Sequence, residues 1–254
     1  MKSKLKIISW NVNGIRAVHK KGFIGFIKKE KPDILCLQEI KAVQSQFPDE
    51  LFDLGYKVLV NSADKKGYSG VSTFIKNESY IVNMEFGNKR FDSEGRFIEL
   101  TLGDFSLVNF YIPQGGRDKI NVPYKLEIYE KLFSYIKKIK NKNIILIGDF
   151  NIAHQELDLA RPKQNKNNTM FTQEERRQID KLLELGFIDS FRQLNKNGES
   201  YTWWPYFADA RNRNLGWRID YAFISKAFSK HLKNAYILKE VRGSDHAPIV
   251  LEIN

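Results

Sequence analysis

Five polar clusters, each beside an apolar run, hold the residues best suited to chemistry. Asn11-Val12-Asn13-Gly14 follows Leu5–Trp10, Gln38-Glu39 follows Ile34–Leu37, and Gly148-Asp149-Phe150-Asn151 follows Ile144–Ile147. Tyr111-Ile112-Pro113-Gln114 follows Phe105–Phe110, and Ser244-Asp245-His246 precedes Ala247–Ile253. Strand-like runs ending in carboxylates and amides resemble a sheet edge that holds a hard cation. Glu39 and Asp245 are oxygen ligands suited to Mg²⁺ or Mn²⁺. Glu39 ends a buried run, where an unpaired carboxylate is costly; a capping role is its alternative. No Cys/His cluster has zinc spacing.

Asp149 and Asn151 are alternate residues, so on an extended segment they point the same way. Such a pair can hold a water and donate a hydrogen bond to a phosphoryl oxygen, or it can simply close the strand as an Asx turn. His246 adjoins Asp245, and Asp220 sits in a strand-like run that can lie alongside. An Asp aimed at a His fixes its tautomer and raises its pKa. A His–Asp pair beside a metal suits phosphoester hydrolysis. His19 and His231 read as surface residues, and His154 is the weaker candidate after His246. Trp203, Trp204, Phe207 and Trp217, interleaved with Arg211, Arg213 and Arg218, suit stacking on bases or sugars and gripping phosphates, or ordinary core packing. Arg16, Lys20, Lys65, Lys66, Tyr68, Arg96 and Arg117 fall in turns, open to phosphate or to solvent.

The elements that must position these groups are legible as strands over 5–11, 33–39, 70–76, 97–102, 105–112, 143–149, 218–225 and 247–253. Helical spacing covers 124–140, with Pro123 near its start, and 173–185, opened by a Thr172/Glu175 capping box; a shorter basic helix covers 21–30. The interleaving indicates an α/β protein, sheets packed together with helices outside. Lys6–Asn11 and Ile144–Asn151 resemble each other, which fits two similar halves or two unrelated buried strands.

With 254 residues and no linker or low-complexity tract, one domain is expected over 1–254. A net charge of +11 favours a polyanionic partner, nucleic acid foremost. The single cysteine, Cys36, lies in an apolar run and reads as a small buried hydrophobe. An intrachain disulfide is therefore impossible, no signal-like or membrane-spanning run is evident, and a cytoplasmic location is expected.

Ile8–Ala17, Leu35–Glu39, Gly67–Val71, Gly148–Asn151, Gly216–Tyr221 and Gly243–His246, in order across the chain, resemble the exonuclease III family of apurinic/apyrimidinic endonucleases. The stretches 201–204 and 216–218 look closer to the human-enzyme-like branch than to the enterobacterial one. The resemblance implies a four-layered α/β sandwich, two mixed β-sheets face to face with helices outside. It implies Mg²⁺-dependent cleavage, with Mn²⁺ as the alternative ion, 5′ to abasic sites in double-stranded DNA. Side activities on blocked 3′ ends and 3′→5′ digestion, and a monomeric state, are expected with it.

Carried over, Glu39 binds the metal with Asn11 and Asp245 near it, while Asp149, Asn151 and His246 can surround a second ion position. Asp149 handles the attacking water, Asn151 stabilises the transition state, His246, oriented by Asp220, contacts the phosphate, and Tyr111 assists the leaving oxygen. Trp203, Phe207 and Trp217 match a pocket for the flipped-out sugar, and Arg117 and Phe207 match wedges into the duplex. Arg16, Lys20, Tyr68, Arg96, Asn165 and Asn168 match positions near the DNA backbone. Two positions depart: Asn13 stands where some members carry Asp, and Gln114 where the human-like enzymes carry Asn. A same-scaffold enzyme acting on another phosphoester, or an inactive nucleic-acid-binding module, are the competing readings.

Overall fold

The computed structural model describes residues 4–76, 79–139 and 143–254. Among the described residues there are twelve strands: β1 (Leu5–Asn11), β2 (Ile34–Gln38), β3 (Lys57–Asn61), β4 (Val71–Ile75), β5 (Ile81–Asn83), β6 (Phe97–Leu102), β7 (Phe105–Tyr111), β8 (Ile144–Asp149), β9 (Phe187–Asp189), β10 (Asp220–Ser225), β11 (Leu232–Ile237) and β12 (Ile249–Ile253). The helices are α1 (Ile15–His19), α2 (Phe23–Glu30), α3 (Lys89–Ser93), α4 (Val122–Ile136), α5 (Pro162–Asn165), α6 (Gln173–Glu184) and α7 (Ser190–Leu194). The helix expected over 124–140 begins two residues earlier and ends at Ile136; residue 140 lies outside the described residues. The Thr172 capping box is formed, with Thr172 Oγ1 accepting from the Glu175 amide.

The strands form two six-stranded sheets, ordered β11-β12-β1-β2-β4-β3 and β5-β6-β7-β8-β10-β9. In each, the two central strands run parallel, β1 with β2 and β7 with β8, and the other neighbours are antiparallel. The two halves are therefore topologically alike. The equivalence, however, matches β1 to β7 and β2 to β8, not β1 to β8 as the sequence likeness suggests. β1 and β8 look alike because both are central strands buried on two faces, whatever their place in the repeat.

Alternate residues serve different layers. Ile7, Cys36, Val71, Ile98, Leu107 and Ile145 fill the space between the sheets. On the same strands Ile8, Leu35 and Phe74 pack outward on Val18, Phe23 and Ile27 of α1 and α2. On the other side, Val108, Phe110 and Leu146 pack on Ile128, Tyr129 and Leu182 of α4 and α6. This is the helix–sheet–sheet–helix sandwich the resemblance implied. Cys36 is fully buried, and burial pushes its thiol up to about 12. No helix among the described residues is long and apolar enough to cross a membrane.

Candidate active site

The parallel central strands of both sheets end together, and the polar clusters meet there. Asn11 pairs in register with Gln38 across β1 and β2, and Tyr111 pairs with Asp149 across β7 and β8. Asp220, at the start of antiparallel β10, pairs with Asp149 from the other side. Gly148 makes the β7–β8 contact possible: its φ is +142°, and a Cβ there would sit 2.0 Å from the Phe110 carbonyl oxygen. Beyond the strand ends the chain turns sharply. Asn13, Glu39, Lys41 and Asn151 all hold positive φ, between 48° and 53°, an unfavourable region for residues with a Cβ that concentrates at functional sites.

Asn11 Nδ2 bridges two carboxylates, donating to Glu39 Oε1 at 3.0 Å and to Asp149 Oδ2 at 2.9 Å. The Tyr111 hydroxyl donates to Glu39 Oε1 at 2.6 Å. Burial and then the Glu39 charge push the Tyr111 phenol well above its usual range, so it stays protonated. Burial would raise the Glu39 carboxyl too, but Lys41, 2.9 Å away, and hydrogen bonds from Asn11 and Tyr111 hold it below the ordinary value. Lys41 also donates to Asn13 Oδ1 at 2.5 Å.

His246 Nδ1 lies 2.9 Å from Asp220 Oδ2, and its Nε2 lies 3.9 Å from Asp149 Oδ2. Burial alone would lower the imidazole pKa; Asp220, with Asp149 and Asp245, overrides it and raises it to about 10. Burial and Asp220 push the Asp149 carboxyl up, while His246 pulls it down. Asp149 Oδ1 accepts the Asn151 amide at 2.9 Å, and the Asn151 φ is +53°. The segment is thus an Asx-type turn, not the extended strand end that would point both side chains one way. Asn151 Nδ2 is committed to the Ile112 carbonyl at 3.0 Å.

The donor set fits a hard cation. Asp149, Asp220 and His246 form a buried group, their ligand atoms within 4.8 Å of one another, that could hold a metal ion with the imidazole neutral; charged, His246 is a donor instead. Asp220 Oδ1 is buried without a hydrogen-bond partner, an atom that a cation or water would satisfy. Glu39 and Asn11 adjoin the group through Asp149. Asp245, next to His246, is held by Trp203 Nε1 and Asn13 Nδ2, each at 3.0 Å. Burial would lift its carboxyl, but His246 and these donors keep it low.

Beside this centre lies a cavity of about 440 Å³ lined by Arg117, Asn165, Asn168, Trp203, Phe207 and Trp217. Trp203 joins pocket to centre: it bridges Trp217 and His246 in the backbone and meets Trp217 edge-on at 6.5 Å. Phe207 projects with 73% of its surface exposed, whereas Trp217 is buried. Arg16 and Lys20 line a neighbouring groove that reaches Lys41, and Tyr68 and Gln114 are exposed.

Three arginines correct the sequence reading. Arg96 is buried, donating to Glu94 at 2.5 Å and lying 4.3 Å from the Tyr111 ring, so it supports Tyr111 from beneath. Arg218 is buried against Asp158 and Asp189 at 2.7 Å each. Arg211 donates from Nη1 to the Ser244 carbonyl and from Nη2 to the Lys239 and Val241 carbonyls. His154 pairs with Asp180, away from the centre.

Sequence reasoning missed Lys41, the Lys125–Glu175 pair behind Asn151, and Tyr206, whose hydroxyl meets Asn13 and Asp245. It also missed Thr202, whose Oγ1 accepts the Ile219 and Asp220 amides. Lys125 had left a signal: a charge on the buried stripe it shares with Ile128, Tyr129 and Leu132.

A model of the Endonuclease/Exonuclease/phosphatase family matches residues 8–246, nearly the whole chain. The chain belongs to that family. It is 44% identical to an exodeoxyribonuclease of Bacillus subtilis, over 98% of this chain and all of that one. It is 41% identical to the DNA repair nuclease APEX1 of Danio rerio, over 98% of this chain and 82% of that one. An AP endonuclease structure from Archaeoglobus fulgidus superposes with a TM-score of 0.89 at 32% identity, covering 98% and 99% of the two chains.

Proposed function

We propose that this one-domain, monomeric protein is a Mg²⁺-dependent DNA-repair endonuclease of the exonuclease III type, cytoplasmic, that cuts the backbone 5′ to abasic sites. It leaves a 3′-hydroxyl and a 5′-deoxyribose phosphate, and it trims blocked 3′ ends and 3′ termini more slowly. The observation that carries the reading is the buried Asp149–Asp220–His246 group set against an aromatic cavity of about 440 Å³. A cavity of that size and lining accepts a sugar without its base, and extruding such a nucleotide costs little because no base pair is broken.

In this mechanism Asp149 takes the proton of the attacking water. His246, kept charged by Asp220, donates to a phosphate oxygen, and Asn151 sits where charge develops on the phosphorane. Tyr111, protonated and hydrogen-bonded to Glu39, stands by the leaving oxygen. Glu39, Asp149, Asn11 and Asp245 would hold the divalent ion, which supplies Lewis-acid charge at the phosphate. Arg117 and Phe207 would wedge into the duplex, and Arg16, Lys20, Tyr68, Gln114, Asn165 and Asn168 would meet its backbone.

The test is one labelled duplex carrying a single abasic-site analogue, incubated with Mg²⁺ and then with chelator. A Mg²⁺-dependent nick immediately 5′ of the lesion is expected. A folded, DNA-bound protein that leaves the strand intact, yet turns over another phosphoester, overturns the substrate assignment.

A further inference from the structure

Behind Asn151 lies an ion pair whose side chains are closed off from solvent. Lys125 of α4 and Glu175 of α6 are both fully buried, with Nζ and Oε1 2.6 Å apart. Burying two charges carries a desolvation penalty that apolar side chains of the same volume avoid, so such a pair is explained by what else it holds. Lys125 Nζ also donates to the Asn151 carbonyl at 2.5 Å. Glu175 Oε1 also accepts the Met170 amide at 3.0 Å, and its Oε2 takes the Thr172 amide at 3.2 Å and hydroxyl at 2.8 Å.

Both backbone groups gripped by the pair sit at turns of unfavourable conformation. Asn151 has φ +53° and Met170 has φ +70°. In the function proposed above Asn151 faces the scissile phosphate, and Met170 lines the aromatic cavity. The two turns touch directly through the Ala153 amide and the Met170 carbonyl, at 2.8 Å. One pair of charges, carried by two helices, thus fixes the phosphate-side turn and the cavity wall relative to each other.

We propose that Lys125 and Glu175 are positioning residues that set the spacing between the lesion cavity and the Asp149–Asn151 turn, so that a sugar seated in the cavity presents its phosphate to that turn. The proposal rests on the function given above for the cleft. An ammonium and a carboxylate are needed because Lys offers three donors and Glu up to four acceptor positions, and here they saturate carbonyl and amide groups that an apolar pair would leave bare.

The experiment compares wild type with Lys125→Met and Glu175→Gln; the second keeps side-chain volume and one acceptor oxygen, but removes the charge and turns the other acceptor into an amide donor. Hydrogen exchange of the free protein is read over residues 149–154 and 168–172. Single-turnover cleavage of the abasic duplex, and duplex Kd in chelator, are read alongside. Exchange should rise at both turns in each variant, including the turn the mutated residue does not touch. The cleavage rate should fall roughly a hundredfold, the usual cost of about 1 Å of misplacement, while Kd stays within about twofold. Loosening confined to the mutated residue's own contacts overturns the proposal, as does a wild-type rate in either folded variant. The exchange readout holds even if wild type leaves the abasic duplex intact, so failure of the substrate assignment stays distinct from failure of the positioning role.

Discussion

Asn11, the Asn151 amide and the edge of His246 all converge on the two oxygens of Asp149. Asp149→Asn preserves that shape but cannot take a proton. Cleavage should drop at least ~10³-fold with duplex binding retained, as for other removed key groups; near-wild-type turnover in a single-turnover assay would refute the role. Asp220→Asn acts one step back. In the wild type, Asp220 is the main reason the His246 imidazolium persists to about pH 10. Without that charge, burial dominates and the imidazole loses its proton at lower pH. The alkaline limb of the kcat profile should therefore move down in pH; an unmoved limb excludes His246 as the charged donor.

At the scale of elements, the cleft depends on strand packing that admits no substitute at Gly148. Gly148→Ala drives a Cβ into the Phe110 carbonyl and separates β7 from β8. A loss of roughly 3 kcal/mol or more is expected in urea unfolding, at the upper end for overpacked sites. The segment before α5 is locked to the Trp217 segment by charge. Burial would raise the Asp158 carboxyl, but Arg218 and then Arg192 outweigh it and hold it below the ordinary carboxylate range. Since the folded value lies below the unfolded one, the stabilisation is present above about pH 4 and lost as pH falls through the folded value. Asp158→Asn should remove about 3 kcal/mol at pH 7, the low end for breaking a buried pair, and flatten the acid limb of stability below pH 4. Unfolding curves at the two pH values decide it.

The whole molecule carries a net charge of +11, and Arg16 and Lys20 stand exposed on the groove beside the cleft. If they meet phosphates, each replacement by Ala should reduce the slope of log K against log salt by about one and weaken binding to all sequences alike. An unchanged slope, measured by fluorescence anisotropy across a salt series, places the duplex elsewhere. The matched topology of the two sheets gives this surface its form: the parallel centres end side by side, so one half contributes Asn11 and Glu39 and the other Tyr111 and Asp149.

The sequence by itself determined the central strands, the longer helices and the types of residue in the cleft. Those strands are buried on both faces and so read as continuous apolar runs, and the polar residues at their ends stand out against them. The four strands it did not reveal, β3, β5, β9 and β11, are the four sheet edges. An edge strand has one neighbour and is partly exposed, so it needs no apolar run, and only pairing defines it. The tertiary structure also decided which charges do chemistry. Arg96 and Arg218 read in the chain as cations open to phosphate, yet they, like Lys125, are buried against carboxylates brought from elsewhere in the sequence or across a turn. Spacing along a chain reports local geometry alone, whereas the partner of a buried charge is set by which elements the sheets and helices bring together.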